Sequence, residues 1–226
     1  MDPRVENRLF IPPKLSQKYT PAKIFHEEDW WTYCPNFLPN SFRLYSDVYE
    51  EIKDKVEIYQ VVAPFQEKSK TFPSKRKSCK FQDTENDDNK QPTATSSIAF
   101  VYDLIPIFDW KDSPTVMKIK DLIEVWSGQK FDYCLCHLYR NGTDTLGWHS
   151  DREGLKSPIA SISLGTTRKF RFREKNQTQG FYKEYDLRSG ALVYMKTGCQ
   201  ERYKHTVPPQ KRITEARINL TFRVWD

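Results

Sequence analysis

The sequence predicts a mainly β protein with flanking helices, an α+β architecture built on a double-layered barrel or jelly roll. Three observations predict it. From residue 131 onward the chain reads as eight short strands joined by tight turns, at approximately 131–139, 146–150, 159–164, 168–173, 181–187, 191–195, 203–206 and 217–224. Two amphipathic helical patterns precede them. The last strand alternates Arg217, Asn219, Thr221 and Arg223 with Ile218, Leu220, Phe222 and Val224. Period two of that kind gives one apolar face and one face of hydrogen-bond donors.

Residues 1–30 are rich in Pro, Lys and acids without a clean period, so 1–40 reads as an irregular arm, docked through Trp30, Trp31, Tyr33, Phe37 and Leu38. A helix is expected over 41–56, where Phe42, Tyr45, Val48 or Tyr49, Ile52 and Val56 recur at three- and four-residue steps, capped by Asn40 or Ser41. Glu57 to Ala63 reads as a strand. Residues 67–80 then carry six Lys/Arg against one Glu, and 83–90 invert the sign, so composition predicts a disordered loop at 67–95. Ile98 to Tyr102 reads as a strand. Ser113-Pro114 opens a second helix with Val116, Ile119, Leu122, Ile123 and Trp126 as its buried stripe, and Gly128 closes it. The helices and the charged stretch between them thus occupy 41–130, and the barrel 131–226.

A chain of 226 residues with 38% hydrophobic content is long enough for one sizeable core. The net charge of +6 suits a polyanionic partner without singling one out. Cys34, Cys79, Cys134, Cys136 and Cys199 form an odd set without a Cys-x-x-Cys, which points to reduced thiols inside a cell. No run of 18 apolar residues and no signal-like start is present, so neither a membrane partner nor secretion is expected.

The chemistry centres on Trp148-His149-Ser150-Asp151. On an extended segment His149 and Asp151 share one face, ~6.6 Å apart along the strand. An imidazole and a carboxylate so placed supply two ligands of a two-His, one-carboxylate face, the arrangement used for non-haem Fe(II). The third ligand has to come from a distant histidine among His26, His137 and His205, and His205, in the strand-like Tyr203-Lys204-His205-Thr206, is taken for it. The polar face of 217–223 reads either as a solvated sheet face or as the lining of a cavity. In a cavity, Arg217 and Arg223 would need an anion, and a dicarboxylate matches guanidinium forks. Arg168 to Lys175 is a further strand, with Phe170 and Phe172 on one face and Lys169, Arg171, Arg173 and Lys175 on the other. That row reads either as a solvated face or as a track for phosphates.

Over roughly 57–226, the wording of Leu138-Tyr139-Arg140-Asn141, Trp148-His149-Ser150-Asp151, Pro158 to Gly165 and Asn219-Leu220-Thr221-Phe222-Arg223 resembles the AlkB family of Fe(II)/2-oxoglutarate dioxygenases, in its nucleic-acid demethylase branch. The resemblance implies a double-stranded β-helix and an iron held by His149, Asp151 and His205. It implies that 2-oxoglutarate and O2 act as co-substrates, with His137, Tyr139, Arg217, Asn219, Thr221 and Arg223 around 2-oxoglutarate. The expected reaction removes methyl groups from 1-methyladenine and 3-methylcytosine in DNA, with RNA as a further substrate, and releases formaldehyde, succinate and CO2.

Phe65 is implied as a finger entering the gap of a flipped base, Phe100 and Tyr102 as base-stacking groups, and Arg152 and Glu153 as neighbours of the base edge. Arg168, Lys169, Arg171 and Arg173 are implied as backbone contacts. Lys75-Arg76-Lys77 reads as either a phosphate contact or a nuclear localisation signal. His137 departs from the family, which usually has Asn there. A monomer in the nucleus or cytoplasm is expected. Two rivals remain: the same chemistry on a tRNA, an mRNA mark or a protein, and an inactive nucleic-acid-binding module.

Overall fold

The computed structural model describes residues 26–62, 71–84, 105–151 and 154–225. Their architecture is two β-sheets packed on one another, with two helices beneath the larger sheet. In chain order the strands are β1 (His26–Glu27), β2 (Trp31–Cys34), β3 (Glu57–Val62), β4 (Thr71–Gln82), β5 (Ile107–Asp109), β6 (Tyr133–Tyr139), β7 (Leu146–His149), β8 (Ile159–Gly165), β9 (Arg168–Glu174), β10 (Lys183–Leu187), β11 (Ala191–Met195), β12 (Tyr203–Val207) and β13 (Arg217–Arg223). The helices are α1 (Ser41–Ile52), α2 (Pro114–Ser127) and a single turn, α3 (Cys199–Arg202). The larger sheet runs β1-β2-β11-β8-β13-β6-β4-β3, with β5 on β4; the smaller runs β10-β9-β12-β7. The barrel strands therefore lie where the sequence predicts them.

Alternation in the strands of the larger sheet builds two different interiors. Ile218, Leu220 and Phe222 of β13, Cys134, Cys136 and Leu138 of β6, and Ile162 and Leu164 of β8 face one way. They pack against Val48 and Ile52 of α1 and Val116, Ile119 and Ile123 of α2. The opposite face of the same strands meets the smaller sheet, where Trp31 stacks on Phe172 with centroids 4.0 Å apart. Every residue of β6 and β13 is buried, on both faces. Gly165 lets the chain leave β8 for β9: its φ is +88°, and a Cβ there would sit 2.7 Å from the Ala216 carbonyl oxygen.

Three expectations are corrected. Residues 71–82, placed in a loop by their charge, form β4, which pairs with β6 through Ser78 opposite His137 and Cys79 opposite Cys136. Its cationic composition masked a period of two in which Cys79 and Phe81 face the helices. The expected irregular arm ends before Trp31, because β2 pairs with β11 inside the larger sheet and is buried throughout. Phe42 lies in the first turn of α1 and stays exposed, so the buried stripe of that helix starts later, at Val48 and Ile52.

The capping of α2 also differs in detail. The Ser113 side chain makes no cap to its own helix. Its hydroxyl and the Thr115 backbone N–H and hydroxyl instead donate to the Glu51 carboxylate of α1. One anion thus satisfies the orphan donors of a helix N-terminus and joins two helices. Glu51→Ala should lower stability by about 1–3 kcal/mol. Glu50→Ala, which removes only an exposed pair with Lys53, should change it by less than about 0.5 kcal/mol. Urea denaturation followed by tryptophan fluorescence checks both.

Candidate metal centre and co-substrate chamber

β7 ends at His149, and β12 carries His205 directly opposite it in register. Asp151 follows two residues later, its backbone N–H donating to Gln200 Oε1 at 2.9 Å. Gln200 is a buried residue of α3 whose role no sequence motif signals. One ligand atom from each of His149, Asp151 and His205 lies within 4.8 Å of the others. His149 Nε2 is 3.6 Å from Asp151 Oδ1, and His205 Nε2 is 3.4 Å from Oδ2. His149 Nδ1 is 2.8 Å from the Gly147 carbonyl, which can only accept, so Nδ1 carries the proton and Nε2 keeps its lone pair for a cation.

Electrostatics prepare the same state. Burial pushes the His205 imidazole down to about 3, and loss of hydration lowers His149 as well, so both are neutral ligands at pH 7. Burial alone would raise the Asp151 carboxyl, but Arg223, His205 and His149 beside it hold it well below the usual carboxylate range. Arg223 donates to Asp151 Oδ1 at 2.9 Å. The His149 side chain is 28% exposed against 5% for His205, so the triad opens to solvent on the His149 side.

Behind the triad, the inner faces of β13, β6 and β4 bring together a cluster of buried polar side chains, called the chamber below. Arg217 lies over the Tyr139 ring, 5.0 Å from its centroid, and Nη2 donates to Ser163 Oγ at 2.7 Å. Nε and Nη1 of Arg217, and Tyr139 Oη, are buried without a hydrogen-bond partner of good geometry among the described residues. Burial lowers the Arg217 guanidinium only to about 10, so it remains a cation. Unpaired buried donors cost ~1–3 kcal/mol each, and a carboxylate would satisfy all three at once. The donor set therefore fits the distal carboxylate of 2-oxoglutarate, as the triad fits Fe(II).

Arg76, the middle residue of Lys75-Arg76-Lys77, is turned inward by the period of β4. It lies 6.0 Å from the centroid of the Tyr139 ring, which argues against its serving in a localisation signal. His137 is buried, and burial, with Arg76 and Arg223, pushes it well below its ordinary value, so it too is neutral. Asn219 and Thr221 are on the chamber face, but Asn219 Nδ2 donates to Ser161 Oγ and the Ile162 carbonyl, both at 2.9 Å. Its amide protons lock β13 to β8 and are not free for the co-substrate.

Of the cationic row on β9, Arg168 is corrected outright. It is fully buried and donates to the carbonyls of Asn141, Asp144 and Pro208 at 2.9–3.0 Å, which makes it an internal strut between two loops. Lys169 bridges Glu184 and Asp186 of β10, and Arg171 pairs with Glu184. Neighbouring acids, invisible to a single-strand reading, neutralise half the row. Arg173 instead stacks 4.3 Å over the Trp148 ring, on the face of the smaller sheet opposite His149 and His205. Phe65, Phe100, Tyr102, Arg152 and Glu153 lie outside the described residues.

A metal-dependent shift in thermal stability should follow from this geometry. Mn(II) should raise the Tm of the wild-type chain by the mass-action effect of ligand binding and leave Asp151→Ala unmoved. A differential scanning titration of metal checks it, and an equal shift in both proteins would place the metal elsewhere.

A family model described as the 2OG-Fe(II) oxygenase superfamily matches residues 31–223. The chain is 38% identical over 120 residues to Alpha-ketoglutarate-dependent dioxygenase alkB homolog 3 of Homo sapiens, covering 49% of this chain and 42% of that protein. It is 33% identical over 119 residues to DNA oxidative demethylase ALKBH2 of Homo sapiens, covering 49% of this chain and 46% of that protein. These matches thus span less than half the length of the curated relatives. A solved structure titled "The structure of OsALKBH1" superposes with a TM-score of 0.54 at 16% identity, covering 89% of this chain and all of that one, and shares the fold. Because the family match runs from β2 through β13, it takes in both sheets and the site between them: this chain belongs to the 2OG-Fe(II) oxygenase superfamily, and it is similar to AlkB homologues within it.

Proposed function

We propose that this chain oxidatively demethylates N-alkylated bases in nucleic acid, with 1-methyladenine and 3-methylcytosine in DNA as the main substrates and RNA as a further one. The observation that carries the reading is the joining of two half-sites in one chamber: a neutral two-His, one-carboxylate triad, and an arginine with unpaired buried donors behind it. His149, Asp151 and His205 would hold Fe(II) on one face. Arg217 and Tyr139 would take the distal carboxylate of 2-oxoglutarate, and Arg223 keeps Asp151 ionised and oriented. When bound, iron, 2-oxoglutarate and O2 together would supply the oxidation of a methyl C–H bond to C–OH, with one oxygen atom of O2 going to the methyl carbon and the other to succinate as CO2 leaves. The resulting N-hydroxymethyl group then loses formaldehyde by C–N cleavage.

Substrate class is supported by the outer face of the smaller sheet. There Trp148 and the stacked Arg173, on the side of β7 and β9 opposite the triad, offer an aromatic plane and a cation, a pairing suited to a base and its phosphate. Reaching an N-methyl on a base edge requires that base to leave the stack, which favours single strands or weakened pairs. Phe65, Phe100, Tyr102, Arg152 and Glu153 remain proposed base contacts on the strength of the family pattern.

The purified protein should convert 2-oxoglutarate to succinate in the presence of Fe(II), ascorbate and a 3-methylcytosine oligonucleotide, with loss of one methyl per succinate by mass spectrometry. Succinate without demethylation would overturn the substrate, and oligonucleotide binding without succinate would overturn the chemistry. Arg173→Ala should reduce the slope of log K against log salt by about one phosphate contact. Arg171→Ala, already paired with Glu184, should change that slope less; equal effects would contradict the pairing.

A further inference from the structure

The least explained pair in the chamber is Ser78 and His137. They are register partners on β4 and β6, both buried, with Ser78 Oγ 2.7 Å from His137 Nδ1. Among the described residues this is the sole hydrogen bond of either side chain. A serine hydroxyl carries one proton, and His137 Nδ1 is the acceptor placed to receive it. If Nδ1 carried a proton instead, the buried Ser78 proton would lack an acceptor, at the cost of an unmade buried hydrogen bond. With Nδ1 accepting, a neutral imidazole must carry its proton on Nε2.

That choice of tautomer matters because of what surrounds it. On the inner face, His137 stands between Ser78 and Asn219. Asn219 has spent its amide protons on β8. Arg76, Arg217 and Arg223 make the same chamber attractive to an anion. An Nε2–H offered to a carboxylate attracts it, whereas an Nε2 lone pair would repel it. We propose that Ser78 is a positioning residue that fixes His137 as its Nε2–H tautomer, so that this pair donates to 2-oxoglutarate where neighbouring Asn219 cannot. The inference rests on the co-substrate reading above. It gives β4 a part in co-substrate binding and makes His137 a neutral donor in its own right.

Two measurements test it on the full chain. Long-range 1H–15N correlation spectra of 15N-histidine-labelled, Zn(II)-loaded protein report the tautomer of His137, assigned by its loss in His137→Asn. Equilibrium titration of the Mn(II)-loaded protein with 2-oxoglutarate reports affinity without turnover. The wild type should show a protonated Nε2 and an unprotonated Nδ1. Ser78→Ala should lose that signature and bind 2-oxoglutarate about tenfold more weakly, while Ser78→Thr, which keeps the hydroxyl, should stay within about twofold of wild type. In a His137→Asn background, Ser78→Ala should change affinity by less than about twofold, since the group it positions is gone.

An Nδ1–H tautomer in the wild type overturns the inference, as does a folded Ser78→Ala that binds 2-oxoglutarate as tightly as wild type. Failure of the wild type to bind 2-oxoglutarate overturns the co-substrate reading itself.

Discussion

The Arg223–Asp151 pair is the interaction on which the rest of the site depends. Both side chains are 4% exposed, so neither charge is solvated by bulk water. A buried ion pair recovers its desolvation cost only with good geometry and further hydrogen bonds. Here the carboxylate meets Arg223 and two imidazoles, and its own backbone N–H is held by Gln200. Arg223 ends a strand at the middle of an eight-strand path, so the position of the guanidinium is inherited from hydrogen bonding on both sides of β13. The pair ties the loop after β7 to the larger sheet. It therefore fixes one metal ligand before any cation arrives.

Charge counting then explains why the chamber takes a dianion. Arg76, Arg217 and Arg223 are buried around it, and Asp151 is the acid that faces them. The other buried acids are engaged elsewhere, Asp144 with Arg140 and Glu124 with Lys120 and Lys130. Arg168, the fourth buried arginine, is spent on carbonyl oxygens. With Asp151 set against Arg223, two cations remain in excess, the charge of the two carboxylates of 2-oxoglutarate.

Much of this was legible in one dimension because it follows from period two. The donor face of 217–223 allowed either a solvated face or a lined cavity, and the His-x-Asp spacing a cation grip; the structure buries the first and brings it beside the second. What stayed hidden depends on partners in other strands. Glu184 and Asp186 neutralise Lys169 and Arg171 only because β10 pairs with β9 in that register. Arg168 reads like its neighbours until two loops close over it. β4 was concealed by charge: Lys75 and Lys77 point outward or sideways, and their excess outweighed the alternation of Arg76, Ser78 and Lys80 toward the inside. Residues chosen for burial of a charged group look, in composition, like residues chosen for exposure.

The same alternation has a bearing on self-inflicted damage. Cys79, Cys134 and Cys136 lie on the helix side of strands whose other face lines the chamber, and Cys34 joins them in that layer. Burial raises Cys134 and Cys136 well above the ordinary thiol range, so they stay as poorly reactive thiols. A sheet stands between those sulfurs and the His149, Asp151 and His205 triad. Cys199 is the exception in place, not in acidity: it belongs to the layer between the sheets, and burial together with the Asp151 charge pushes its thiol up to about 12. An oxidant formed at the triad would have one short path to sulfur, to Cys199, and a barrier one sheet thick before the other four.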